Sequence, residues 1–288
     1  MKKLLIWLPG MLSMLAACTE AVEIPARAPE KQSPVRVELH LTTEQQAATR
    51  AMDENCIRDV NLYLYGDTEY HFYFPSVSSP LVFNVLPGNY RSYAIANAGQ
   101  DLGDKNAFKI QFYETAVDVM ESSDAIPMTD RGTLAVDGAG RCTPSSLRVT
   151  RSAAKIAYTI EVADAVAPSL RLRSVQFCNL PLTIRPFDSG SISSTVEANY
   201  YDGEAMPVGN ERRTAGTAYL FENLQGSVDT ITDQKDKCPE NAPACATYLR
   251  ILAERSADKA LVEYIVYPGE NNTSDFNVRR NTWHNLEL

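Results

Sequence analysis

The chain has 288 residues, with 36 acidic against 27 basic side chains and a net charge of −9. Without the paired Lys2 and Lys3 the remainder stands at −11, a balance that excludes nucleic-acid binding, which relies on clustered Lys and Arg to neutralise phosphate. The length suits two domains, each large enough to bury a core.

Lys2 and Lys3 precede an apolar run, Leu4 to Leu15, broken only by Ser13 and closed by Leu15-Ala16-Ala17-Cys18. A charged start, a short apolar stretch and small residues at a cut point make a secretory signal over residues 1–17. The run is too short for a comfortable membrane span. Leu-Ala-Ala-Cys resembles a bacterial lipobox, which makes Cys18 the lipidation site and the mature N-terminus. Acyl chains then hold the protein to a membrane at roughly 0.8 kcal/mol per buried methylene. Residues 18–34, with three prolines and no apolar period, read as a lipidated tether.

From Val35 the pattern becomes strictly alternating: Val35, Val37, Leu39 and Leu41 face one way, and Arg36, Glu38 and His40 the other. This is the period of a half-buried strand. Residues 42–55 are polar and form a loop carrying Arg50. Strands follow over 57–65, 70–74 and 81–85. Leu86-Pro87-Gly88 marks a turn before a strand through Ala96. Residues 99–130 are irregular, with a short helix or an edge strand both open for 107–119. The Gly-rich stretch 131–141 closes an N-terminal domain placed at 35–145.

The second domain, 146–288, opens at Leu147 to Arg151 and continues with strands at 154–160, 170–182 and 219–221. Residues 186–216 form a long polar insert. Residues 247–252 and 261–267 read as a core pair of strands. Many short strands, regular turns and few helical periods predict an all-β protein, two β-sandwiches in tandem.

Enzyme chemistry finds little support. His40, His71 and His284 each lie alone in strand patterns. There is no Gly-x-Ser-x-Gly elbow, no phosphate loop and no two-His metal helix. No metal site and no cofactor is expected. Of the five cysteines after Cys18, Cys238 and Cys245 enclose a Pro- and Asn-rich loop and are the candidate disulfide. Cys178, in an apolar run, reads as a buried small hydrophobe. Tyr200 and Tyr201, adjacent in the insert, are candidate glycan contacts, since a loop aromatic pair can stack on a sugar ring. Most other tyrosines fall in strand runs, where they are ordinary β residues.

Several motifs in order resemble the Bacteroidales type V fimbrial subunits, the fimbrillin-like and Mfa-like lipoproteins. They are the lipobox Cys18, an Arg-bearing loop followed by Glu54-x-x-Ile57, and Leu86-Pro87-Gly88-x-Tyr90 ahead of Ala94 to Asn97. Later come Tyr219 to Asn223, Ala246-Thr247-Tyr248, Tyr267-Pro268-Gly269-Glu270-Asn271 and Asp275 to Asn281. Pro268 departs from the family's Tyr-Leu-Gly-Glu-Asn pattern. The resemblance implies transthyretin-like sandwiches and a non-enzymatic role as a structural or adhesive subunit. It also implies export to the outer membrane through the lipid anchor, and partnership with other fimbrial subunits and a host or bacterial surface receptor. In polymerising members a protease cuts after an Arg in the first loop, the N-terminal strand leaves, and a strand from the next subunit enters. Carried onto this sequence, Arg50 is the candidate cut. The released strand carries Val35, Val37, Leu39 and Leu41. The C-terminal positions Phe276, Val278, Thr282, His284, Leu286 and Leu288, alternating except at Arg280, are the candidate donor strand. A surface glycan-binding lipoprotein is the alternative function.

Overall fold

The computed structural model describes residues 32–43, 55–106, 115–116, 126–187, 193–209 and 211–288. The signal with Cys18, the loop residue Arg50, and residues 107–114 and 117–125 of the irregular region lie outside the described residues. The protein is all-β. Its regular helical turns among the described residues are two 3-10 turns, Glu197–Asn199 and Gln234–Asp236.

Alternation sets the first strand, β1 (Val35–Thr43): Val37 and Leu39 are fully buried while Arg36, Glu38 and His40 face solvent. Then come β2 (Val60–Tyr65), β3 (Glu69–Phe74), β4 (Leu81–Val85), β5 (Gly88–Ala96), the short β6 (Thr115–Ala116), β7 (Met128–Val136), β8 (Cys142–Thr143) and β9 (Ser146–Arg151). Apart from β6 they form a sheet in the order β3-β2-β5-β7-β9-β1-β4, with β8 added on β7. Strands from both ends of this order fill one core: Leu62 and Leu64 of β2, Val37 and Leu39 of β1, and Leu81 and Phe83 of β4. The sheet therefore folds over itself, and Phe72 meets Phe83 with ring centroids 4.9 Å apart where its ends meet. β2 is buried on both faces. Tyr63 and Tyr65 point away from that core into a second cluster with Tyr93, Ile95 and Phe187.

The remaining strands are β10 (Ala153–Glu161), β11 (Leu170–Cys178), β12 (Leu180–Pro181), β13 (Thr183–Ile184), β14 (Tyr200–Tyr201), β15 (Met206–Pro207), β16 (Arg213–Phe221), β17 (Tyr248–Arg255), β18 (Leu261–Val266) and β19 (Trp283–Glu287). One sheet runs β16-β10-β19 and another β15-β11-β17-β18. Ile156 and Tyr158 of one sheet and Val175, Phe177, Leu249 and Ile251 of the other share a core, the arrangement of a sandwich. The predicted core pair is present as β17 and β18, antiparallel, with Leu249 opposite Val266.

One element sits on the other side of the predicted division. Ser146 to Arg151, expected to open the second domain, is β9. It pairs with β1 and β7, and Leu147 and Val149 lie in the first core. The chain crosses to the second set of sheets only at Ser152, whose N–H donates to Pro127 O at 2.8 Å. A strand's alternation shows that one face is buried but not which sheet receives it.

Candidate functional site: the groove filled by the first strand

β1 has two neighbours in succession. Its first half is antiparallel to β4, with Val37 opposite Phe83 and Leu39 opposite Leu81. Its second half is parallel to β9, with Leu41 opposite Leu147 and Thr43 opposite Val149. Around the crossover, the His40 N–H donates to Ser145 O at 3.0 Å and the Leu41 N–H to Ser79 Oγ at 3.3 Å. Opposite β4, the Cys142 thiol donates to Glu38 O at 3.4 Å. Gly140, at φ +77°, comes so near that a Cβ there would lie 2.1 Å from Arg36 O. Positive φ and close approach both require glycine. Without β1 the sheet would be open from β4 to β9, with a floor of Leu81, Phe83, Leu147 and Val149. Val37 and Leu39 each contribute roughly 1.5–3 kcal/mol by burial. The Arg36–Glu38 ion pair at 3.1 Å is solvent-exposed and adds little.

Beyond the loop, the chain is fastened differently. Asn97, at φ +62°, accepts the Arg58 N–H at 2.8 Å through Oδ1 and donates through Nδ2 to Cys56 O and Ile126 O at 2.9 and 2.8 Å. The Asp59 carboxylate accepts the N–H groups of Ala98 and Gly99 at 3.1 and 3.0 Å. Burial still pushes its carboxyl above the ordinary aspartate value. Neither this fastening nor the contacts of Ser79, Gly140 and Ser145 with β1 follow a local sequence pattern. The one signal in the sequence is the Gly-rich run 131–141, which marks a domain end there and not a close approach to β1.

The predicted donor positions separate. His284 and Leu286 lie on β19, an edge strand parallel to β10, with His284 opposite Ile156 and Leu286 opposite Tyr158. Leu288 follows, and its N–H donates to Thr159 O at 2.9 Å. Thr282 precedes the strand and holds His284 Nε2 at 3.1 Å. Phe276 and Val278 are not on it: Val278 bridges to Asn223 and enters the second sandwich core, and Phe276 packs with Tyr267 and Ile231.

A polar knot ties this closing segment. Asp275 accepts the Glu270 N–H at 2.9 Å and a hydrogen bond from Asn277 Nδ2 at 2.5 Å. Burial alone would raise its carboxyl, yet these donors hold it below the ordinary aspartate value. Burial drives the Lys237 ammonium down to about 8; it donates to Asn271 O at 2.8 Å. Burial also lowers His284, whose Nδ1 lies 3.2 Å from Gly269 O. Arg280 pairs with Glu222 at 2.7 Å, both nearly buried.

Two further expectations meet the structure here. Cys238 and Cys245 are free thiols, so the disulfide expected between them is not formed. Cys238 Sγ instead accepts a hydrogen bond from Asn241 Nδ2 at 3.6 Å, and Cys245 is buried. Cys178 is buried as expected. Tyr200 and Tyr201 form no open platform. Both are half-buried; the Tyr200 hydroxyl donates to Ser194 O at 2.5 Å, and Tyr201 packs on the second sandwich core.

A family model described as a domain of unknown function, DUF4906, matches residues 218–288, the span that holds the polar knot and β17 to β19. No curated protein matches the sequence. Solved structures do. The tip fimbrial protein Mfa3 of Porphyromonas gingivalis matches with a TM-score of 0.56 at 13% identity, over 88% of this chain and 94% of that one. A fimbrilin, FimA, of Porphyromonas gingivalis gives 0.54 at 13% identity over 86% and 87%. A protein of Parabacteroides distasonis, presumed to act in cell adhesion, gives 0.58 at 11% identity over 89% and 92%. The chain has the fold of the Bacteroidales fimbrial proteins, over most of its length and most of theirs.

Proposed function

We propose that the protein is a structural or adhesive subunit of a cell-surface fimbria, two transthyretin-like sandwiches in tandem. In this reading it is exported as a lipoprotein on Cys18 and assembled by removal of β1 and insertion of a strand from a neighbouring subunit. The observation that carries the reading is the position of β1, an inner strand whose Val37 and Leu39 are wholly buried although it precedes the loop with Arg50. A cut at Arg50 leaves β2 held through Asn97 and Asp59, while β1 keeps only its own pairings. The vacated edges of β4 and β9 then offer backbone groups to an incoming strand. At roughly 0.5–1.5 kcal/mol net per hydrogen bond, plus the burial of side chains that replace Val37 and Leu39, such a joint opens rarely. Its donor is a C-terminal segment around His284 to Leu288, which must leave β10 to serve.

The test is assembly in solution. The purified chain, treated with a trypsin-like protease and followed by size-exclusion chromatography, forms ladders of oligomers, and Arg50→Ala stays monomeric. Equal assembly by the two, or none by either after a confirmed cut, contradicts the reading.

A further inference from the structure

The turn into β19 is held by a side chain from the first set of strands. Arg151, the last residue of β9, is 8% exposed, so its guanidinium is buried where the chain crosses between the two sets of sheets. Its Nε donates to Asn281 Oδ1 at 3.2 Å and its Nη1 to Asn55 Oδ1 at 3.1 Å. Asn55 is the last residue of the loop that carries Arg50, and Asn281 stands just before β19. One buried cation thus touches the exit of the candidate cleavage loop and the entrance to the candidate donor strand.

Each end of this link holds a position that matters to assembly. Asn281 has a left-handed backbone, φ +55°, which asparagine adopts at some cost. The bond to Arg151 offsets that cost, as does its own N–H, which donates to Ala153 O at 2.8 Å. The pairing of β19 with β10 starts beside it: the Lys155 N–H donates to Thr282 O at 2.9 Å, and Lys155 lies opposite Trp283. At the other end, Asn97 fixes the chain at Cys56 O, and Asn55 lies just outside that clamp, on the side of Arg50. Arg151 also belongs to the strand that β1 leaves behind, where Thr43 lies opposite Val149.

We propose that Arg151 is a positioning residue for assembly, which keeps the C-terminal strand on its own sheet until the loop is cut; this role rests on the reading that β1 is released and the C-terminal segment donated. In the intact chain Asn55 is tethered by the backbone on both sides and accepts from one arm of the guanidinium. The guanidinium, so oriented, holds Asn281. A cut at Arg50 removes one tether, and the departure of β1 takes a neighbour from β9. A buried guanidinium that loses an acceptor must turn toward water or another acceptor, and its bond to Asn281 is lost with that movement. The left-handed turn then keeps its bond to Ala153 without the one to Arg151. β19, an edge strand with β10 as its partner, peels more readily. A donor strand restrained in this way is not offered to a neighbour before the receiving groove can open.

Hydrogen exchange followed by mass spectrometry on the uncut full chain tests the link apart from strand exchange. Asn55→Ala should speed exchange of the β19 amides about tenfold while β17 keeps its rate. Asn55→Asp, which retains the acceptor, should leave β19 unchanged. Asn281→Ala should speed β19 as well, and the double variant Asn55→Ala with Asn281→Ala should exchange no faster than Asn281→Ala alone. Two independent structural roles would multiply the accelerations instead. An unchanged β19 in Asn55→Ala, a loss of protection shared by β17, or multiplied rates in the double variant overturns the proposal. Since no cut is made, such a failure is the link's own, whatever the assembly experiment shows. A link that holds in the uncut chain, with no oligomers after a confirmed cut, instead overturns strand exchange and with it the role of Arg151 in assembly.

Discussion

The first and last strands look alike in sequence and behave differently in the fold. β1 and β19 both alternate, and both run parallel to one neighbour. Yet β1 lies inside its sheet and buries Val37 and Leu39 completely, while β19 is an edge strand in which Leu286 is half-buried and Trp283 exposed. What separates them is the number of neighbours. An inner strand cannot leave without opening a core, whereas an edge strand can peel from a single partner. Loss of β1 would remove two fully buried side chains from its core, whereas β19 covers the second core with the half-buried Leu286.

Truncation should expose this difference most strongly. Leu39→Ala empties a fully buried position and should cost about 3–5 kcal/mol, against about 1–2 for Leu286→Ala, both measured by urea unfolding. Equal losses would break the distinction. Next in size is Gly140→Ala, which forces a Cβ against Arg36 O from a left-handed backbone. It should destabilise by about 1–2 kcal/mol and speed hydrogen exchange in β1 while leaving β19 unchanged. Exchange that quickened equally in both would remove the local explanation.

pH should act on the other end. Burial lowers the His284 pKa beneath its ordinary value of 6.5, with Gly269 O, Asp275, Lys237 and Glu270 as its neighbours. As pH falls through 6.5 the unfolded chain takes up a proton before the folded one does. Stability contributed by neutral His284 is therefore complete above 6.5 and declines below it, toward the folded-state value. His284→Gln should flatten this part of the stability curve, and an unchanged slope would point to the carboxylates instead. The smallest effect is expected from Arg255→Ala, which removes an exposed pair with Asp258. Thermal unfolding should register little or no change in midpoint, because solvent screens the pair.

Much of this was legible in the sequence. Alternation marked β1 to within two residues of its end, and the Pro87-Gly88 turn marked the start of β5. The apolar runs gave β17 and β18. What alternation could not supply was the company each strand keeps. β9 reads as well for either set of sheets, and only its pairing with β1 and β7 assigns it. Phe276 and Val278 continued the two-residue period of β19, yet they sit in a segment shaped by the hydrogen bonds of Asn271, Asp275 and Asn277. An apolar residue can reach a core from a turn as well as from a strand. Tyr200 and Tyr201 were conspicuous as a pair, whereas the link of Asn55, Arg151 and Asn281 is assembled from three distant stretches, and no local pattern announces it. The loop between Cys238 and Cys245 suggested a staple, but spacing alone does not bring two sulfur atoms to bonding geometry.

The central claim is that β1 is released and its groove refilled. The most direct measurement is N-terminal sequencing by mass spectrometry of the protein recovered from surface fractions, before and after treatment with a trypsin-like protease. A mature start at Ala51, with the acylated segment and β1 gone from the assembled form, is the predicted result. A chain that keeps an acylated Cys18 and an intact β1 in assembled fibres would contradict it.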